Sequence, residues 1–122
     1  MKLHLTQAEN NNLITAYGDS FIEVNKQRYT GHLIVLPDKL VLDWSAKDFT
    51  SLTEQDFDPL VALHPEVVLL GTGDTHRFAH PKLTRPLTEA GISIEYMTTH
   101  AACRTYNILM SEGRNVAAAL IL

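Results

Sequence analysis

Three short apolar segments, separated by helix-forming stretches, constrain the fold more than any other feature of this sequence. Residues 67–70 contain no polar side chain, which is typical of a strand covered on both faces of a sheet. Residues 92–97 and 116–121 form the second and third strand-like segments. Because the order strand, helix, strand, helix, strand favours crossover connections, the second half predicts a small parallel β-α-β-α-β unit.

Local signals define the ends of the predicted helices. The first helix is expected to begin at Thr53, whose hydroxyl suits an N-cap, and to end at Pro65. The second is predicted from about Pro81 or Thr84 to Ala90, with Gly91 as its stop signal. The third is predicted over residues 99–112, because Gly113 follows as a stop signal.

Alternating apolar residues in the first half predict antiparallel strands joined by polar turns. One extended segment is expected over residues 28–36 and another over residues 40–44. Turn chemistry is present at residues 25–26 and 37–38. The predicted fold is therefore mixed α/β, a three-layer α+β domain with a parallel C-terminal unit and an antiparallel N-terminal β region.

Composition restricts the number of domains and the classes of partner. A chain of 122 residues that is 45% hydrophobic supports one core, so a single domain over residues 1–122 is expected. The net charge of −4, without a basic cluster, argues against nucleic acid. The apolar runs fall well short of the roughly 20 residues that span a bilayer, so no membrane span is predicted.

The N-terminal segment and the single cysteine bear on location. The first residues lack the apolar core of a signal peptide and the arginine-rich pattern of a mitochondrial presequence. Cys103 is the only cysteine and cannot form an internal disulfide, which suits a reducing compartment. A cytoplasmic location is therefore expected.

A candidate binding crevice follows from the parallel sheet, since the loops after neighbouring strands converge at one edge. Gly71 and Gly73 would let a ligand approach the backbone, and the helix that begins after Met97 would offer unpaired N–H groups. Such a crevice suits a small anion or a carbonyl oxygen. The alternative is that the glycines only permit a tight turn. The candidate ligand-binding residues are Gly71, Thr72, Gly73, Thr98, Thr99, Arg104 and Asn107.

Catalysis has one candidate pair. Cys103 would be a nucleophile if the helix N-terminus and Arg104 lowered its pKa and His100, three positions earlier, served as a base. The favoured alternative is a buried structural cysteine. Arg104 and Asn107 also have a structural alternative, in which they tie the helix to the loop at residues 71–73.

No cofactor is predicted. The six histidines show no spacing that defines a metal site, and His76 and His80 lack the intervening glutamate of a zinc-protease helix. The loop that starts at Gly71 is too short for a dinucleotide fingerprint, and no phosphate-binding glycine–lysine motif exists.

The last fifty-odd residues contain the motifs at residues 69–73, 97–114 and 116–121. These motifs resemble a small uncharacterised family, the Mth938-like domain family, whose eukaryotic members include a mitochondrial respiratory complex I assembly factor. Thr98 stands where that family often has an acidic residue. The resemblance implies helices packed against a β-rich body and supplies no catalytic residues. The matching residues are Gly71, Gly73, Met97, Thr99, Ala102, Arg104, Thr105, Tyr106, Asn107, Leu109 and Arg114.

Two functional hypotheses follow. The first, which the resemblance implies, is a non-enzymatic binding or assembly factor with a protein partner. The alternative is a small-molecule enzyme or anion-binding protein that uses the crevice between the loop at residues 71–73 and the helix after Met97. A homo-oligomer formed through an unpaired strand edge is compatible with both.

Overall fold

Eight strands and three α-helices make up the regular structure of residues 11–122, the part of the chain that the computed structural model describes. The N-terminal segment, on which the expectations about a signal peptide and a mitochondrial presequence rest, lies outside the described residues. The strands are β1 (Ile14–Tyr17), β2 (Ile22–Val24), β3 (Gln27–Tyr29), β4 (Leu33–Leu36), β5 (Lys39–Val41), β6 (Val67–Thr72), β7 (Ser93–Met97) and β8 (Val116–Ile121). The helices are α1 (Asp58–Leu63), α2 (Arg85–Glu89) and α3 (Thr99–Ser111).

A five-stranded sheet with the order β5-β4-β8-β6-β7 lies at the centre. Strands β7, β6 and β8 are parallel, which confirms the predicted parallel unit. Strand β4 pairs antiparallel with β8, so the β4–β5 hairpin extends this sheet. Every residue of β6 and β8 is buried, because layers cover both faces of the sheet.

The fold has the three layers that the sequence predicts. On one face, Leu70 and Ala119 belong to a buried cluster with residues of α1 and α2. On the other, Leu69 and Ala118 belong to a cluster with α3 and with the separate antiparallel sheet β1-β2-β3. Because side chains alternate along a strand, β6 and β8 contribute to both cores.

The first half differs from the prediction in its strand boundaries, and the strand expected over residues 40–44 is the shorter β5, which ends at Val41. The segment over residues 28–36 is two strands rather than one: β3 lies in the three-stranded sheet and β4 in the five-stranded sheet. The reason lies in side-chain polarity, since β3 is mostly exposed whereas every residue of β4 is buried. The turn between β2 and β3 matches the expected polar turn, with φ of 52° at Asn25 and 72° at Lys26.

The first predicted helix is shorter and less regular than expected. Residues Glu54–Phe57 form a 3₁₀ turn, and α1 follows directly. The backbone N–H of Thr53 donates to the Asp56 carboxylate (N···Oδ2 2.8 Å), while the Trp44 indole N–H donates to the Asp56 carbonyl oxygen (2.7 Å). The Trp44 bond attaches the segment after β5 to the start of the helical region.

In the described residues, the helices are too short and too polar for any of them to cross a membrane.

Candidate functional site

The structure brings the loop after β6 and the start of α3 into direct contact. The Thr99 N–H donates to the Gly73 carbonyl oxygen (3.0 Å), and the Gly73 N–H donates to Thr99 Oγ1 (2.8 Å). The Thr99 hydroxyl in turn donates to the carbonyl oxygen of Ile121 at the end of β8 (2.5 Å). Three chain segments are therefore joined by hydrogen bonds at the carboxyl ends of the parallel strands. We call this the β6–α3 junction, formed by residues 71–73, Thr98, Thr99 and Ile121.

Gly71 lies in the tightest part of the junction. A Cβ atom at this position would stand 2.9 Å from Thr99 Cα and 3.2 Å from Leu120 Cδ2. The space that a side chain would need is filled by the chain itself, which supports a packing role for this glycine. Gly73 serves a different purpose: its φ of 89° requires glycine, and its missing Cβ faces open space.

Two of the threonines predicted to bind a ligand, Thr72 and Thr98, use their hydroxyls in hydrogen bonds within the chain. Thr72 Oγ1 donates to the Thr75 carbonyl oxygen (2.6 Å) and accepts from the Arg77 N–H (3.3 Å). Thr98 is the N-cap of α3 and accepts from the Ala101 N–H (3.4 Å). These threonines shape the loop and begin the helix.

Cys103 lies inside the core that α3 shares with the sheet, with no exposed surface. Burial raises the pKa of its thiol to about 12, and the opposing effect of the Arg104 charge is smaller. The thiol is therefore protonated at neutral pH, whereas a nucleophile must be a thiolate. The environment is that of a buried structural cysteine.

His100 lies on α3 but faces the three-stranded sheet. Its Nε2 is 3.2 Å from the Gly18 carbonyl oxygen, and its ring lies against Tyr17 with centroids 4.7 Å apart. Within residues 11–122, no hydrogen bond joins His100 to Cys103. The predicted pair shares a helix without forming a nucleophile–base contact.

Arg104 and Asn107 connect α3 to β1 and not to the loop at residues 71–73, so the structural alternative that tied them to that loop is wrong. Asn107 binds the backbone of Ile14 through both ends of its amide: Oδ1 accepts from the N–H (3.0 Å) and Nδ2 donates to the carbonyl oxygen (2.8 Å). Arg104 Nη1 donates to the Tyr17 hydroxyl (3.2 Å). Helical spacing correctly placed both side chains on one side of α3, but it did not reveal which segment packs there.

An open cleft of about 280 Å³ lies beside the junction. Thr72, Gly73 and Arg77 contribute to its wall from the loop after β6, and Asp48 and Asp74 add two carboxylates. The Arg77 guanidinium also stands 5.5 Å from the centre of the Phe49 ring. The segment that contains residues 48–50 was not among the predicted site residues, because no motif in it signals proximity to the sheet edge.

A second concavity, of about 490 Å³, lies where α3 leads into β8. Met110, Gly113 and Arg114 line it together with Asp38. Arg114 forms the ion pair of this region, with Nε 3.3 Å from Glu66 Oε1. Both partners of that pair are partly exposed, so its contribution to stability is small.

The histidines and carboxylates do not converge on a metal site: in the chain from residue 11 onward, no three His, Cys, Asp or Glu side chains are grouped so as to hold an ion.

Taken together, the central mixed sheet, the second antiparallel sheet held by α3 and the hydrogen-bonded junction define a small two-sheet α/β domain. The family model described as "Protein of unknown function (DUF498/DUF598)" matches residues 14–121. The chain belongs to this family.

Known relatives and solved structures agree with this assignment. The NADH dehydrogenase [ubiquinone] 1 alpha subcomplex assembly factor 3 of Bos taurus is 36% identical over 110 residues, which cover 88% of this chain. The match spans 59% of the bovine protein, so this chain corresponds to only part of that relative.

Two solved structures share the fold over nearly the whole chain. A Bordetella parapertussis protein has a TM-score of 0.85 and 41% identity, covering 91% of this chain and 95% of that one. A Bordetella pertussis protein described as a Mth938-like domain has a TM-score of 0.78 and 36% identity, covering 90% of this chain and 85% of that one. The Mth938-like resemblance and the mixed fold are thereby confirmed.

Proposed function

We propose that this protein is a non-enzymatic assembly factor that binds protein subunits of a respiratory NADH dehydrogenase. The observation that carries the proposal is the alignment of 88% of the chain with the bovine assembly factor. The aligned part therefore includes most of the residues that the structure describes. Because function lies in sites and not in folds, the proposal requires a test on this chain.

The geometry of the β6–α3 junction supports binding rather than catalysis. Its N–H and hydroxyl groups at Gly73 and Thr99 already have partners within the chain, and Cys103 is buried and protonated. A reaction at this place would require those groups to exchange their partners. A binding role needs no such rearrangement, since it uses exposed surface.

We also propose a cytoplasmic location, which the single thiol of Cys103 supports. A lone cysteine that remains reduced suits a compartment rich in thiol reductants.

The experiment is a gene deletion combined with affinity capture in the host cell. Deletion should lower the amount of assembled NADH dehydrogenase without lowering synthesis of its subunits, and the tagged chain should recover those subunits. Normal assembly in the deletion strain, together with capture that is not enriched in these subunits, would contradict the proposal.

A small-anion site is a second candidate, because Thr72, Gly73 and Arg77 face one open cleft. Asp48 and Asp74 in the same wall oppose an anion, so Arg77 would have to supply the attraction. Titration with inorganic phosphate, followed by amide chemical shifts, provides the test. Saturable shifts at residues 72–77 that disappear in Arg77→Ala would support the site, and unchanged spectra would contradict it.

A further inference from the structure

Strand β7 is the last strand of the five-stranded sheet, and one of its backbone edges has no partner strand among residues 11–122. The Ser93 N–H donates to the Glu66 carbonyl oxygen (3.4 Å), which defines the residues of β7 that face β6. In a parallel ladder such residues alternate, so the peptide groups of Ile94 and Tyr96 point away from β6. Within residues 11–122, no other strand pairs with β7. Four backbone groups are therefore available to an added strand.

An apolar surface lies beside this edge. The side chains of Ile94 and Tyr96 are half-buried against the core that contains α1 and α2. Phe78 is 71% exposed, and its ring contacts the Tyr96 ring edge-on with centroids 5.3 Å apart. His76 also contacts the Phe78 ring, with centroids 4.8 Å apart. An incoming strand would therefore meet apolar surface on this face of the sheet.

Glu95 is the acidic residue of β7, and it lies on the opposite face of the sheet. It lies between Ile94 and Tyr96 in sequence, and its exposed side chain projects to the α3 side, since successive strand residues alternate. A second copy that paired antiparallel through Ile94 and Tyr96 would place Glu95 opposite its own counterpart. Like charges directly opposite each other in a sheet are destabilising, so this self-pairing is disfavoured.

We propose that the β7 edge accepts an extended segment of a protein partner as an added strand, with a basic residue opposite Glu95 and apolar residues on either side of it. The proposal rests on the proposed protein-binding function and specifies its surface. Backbone hydrogen bonds would supply affinity, whereas Glu95 and the Phe78 surface would supply selectivity.

The test uses labelled synthetic peptides and fluorescence anisotropy. The probe alternates valine and lysine. Comparison peptides replace lysine by glutamate or place proline at the centre. The wild-type chain should bind the valine–lysine peptide at least about fivefold more tightly than the valine–glutamate peptide, in line with the strength of cross-strand charge pairs. The proline peptide should not bind.

Two variants locate the binding to the edge. Ile94→Pro removes an N–H that points away from β6, so the β6 ladder keeps its hydrogen bonds while peptide binding should fall more than tenfold. Glu95→Lys should reverse the preference towards the valine–glutamate peptide. Glu112→Lys makes the same charge change on an exposed site after α3 and should leave the preference unchanged.

A further variant covers the case in which Ile94→Pro fails to fold. Phe78→Ser changes an exposed side chain and should weaken peptide binding without lowering the melting temperature. Equal binding of the charged peptides, no binding of either, or unchanged preference in Glu95→Lys would overturn the proposal. So would a wild-type dimer that Ile94→Pro converts to a monomer, because the occupant would then be a second copy.

Cellular capture separates this proposal from the proposed function. Where the wild type recovers NADH dehydrogenase subunits and Ile94→Pro recovers them equally, the edge proposal is wrong and the assembly function stands. Where the wild type recovers none, the proposed assembly function is wrong, and the peptide measurements alone test the proposal that the β7 edge binds an added strand.

Discussion

At the scale of single residues, the protonation state of the Cys103 thiol is the most direct consequence of the fold. Burial raises its pKa to about 12, so the thiolate form is scarce at pH 8. Iodoacetamide should therefore leave the native protein unmodified for hours at pH 8 and label it within minutes in denaturant. Mass spectrometry measures the fraction of labelled protein under native and denaturing conditions. Rapid native alkylation at pH 8 would show an accessible, activated thiol and restore the nucleophile hypothesis.

Gly71 permits the second prediction at this scale. In Gly71→Ala the new Cβ would lie 2.9 Å from the Thr99 backbone, so α3 or β6 must shift, at a cost of about 1–3 kcal/mol in the free energy of unfolding. Gly31→Ala is the matched control because a Cβ there meets nothing within 4 Å. Urea denaturation compares the two variants. Equal stabilities would contradict a packing requirement at Gly71.

At the scale of elements, α1 ends in a strained conformation. Its C-cap, His64, has φ 49° and ψ 58°, a left-handed conformation that glycine adopts with less strain. His64→Gly should therefore raise the free energy of unfolding by about 0.5–1 kcal/mol. His64→Ala keeps the strain and should give no such gain. Thermal melting distinguishes these variants, and a destabilised His64→Gly would contradict the argument.

The predictability of each element depended on whether its signals were local. Gly91 and Gly113 have φ of 77° and 80°, and the helices predicted to stop there do so within about two residues. The division of residues 28–36 between two sheets was missed, because it follows from which surfaces β3 and β4 cover. Such non-local pairing leaves no signature in the periodicity of one segment.

In the candidate site, too, the features with local signals were predictable and those that depend on packing were not. The parallel order of β6 and β7 was sufficient to predict that residues 71–73 and the start of α3 meet. It was insufficient to predict that Thr99 would bind both Gly73 and Ile121, since that depends on distances of a few tenths of an ångström. For the same reason, sequence spacing placed Asn107 on α3 but did not identify Ile14 as its partner.

At the scale of the whole molecule, α3 holds the three-stranded sheet against the five-stranded sheet. Asn107 makes two hydrogen bonds to Ile14, and the Tyr106 hydroxyl donates to the Asn12 carbonyl oxygen (2.7 Å). Asn107→Ala should cost about 1–3 kcal/mol, because it leaves the Ile14 backbone without these partners. The loss of stability should be greatest in the smaller sheet. Amides of β1 and β2 should therefore show a larger increase in deuterium exchange rate than amides of β6 and β8.

Ile108→Ala is the control for this substitution, since its side chain on the next position of α3 is 57% exposed and its removal should change stability by no more than about 0.5 kcal/mol. Hydrogen exchange monitored by mass spectrometry resolves the two sheets. A uniform increase across all strands in Asn107→Ala would mean that the domain opens only as one cooperative unit. A selective increase in β1 and β2 would mean that the smaller sheet detaches while the central sheet persists, even though Arg104 and Tyr106 still attach it to α3 and Asn12 still attaches it to the β4–β5 hairpin.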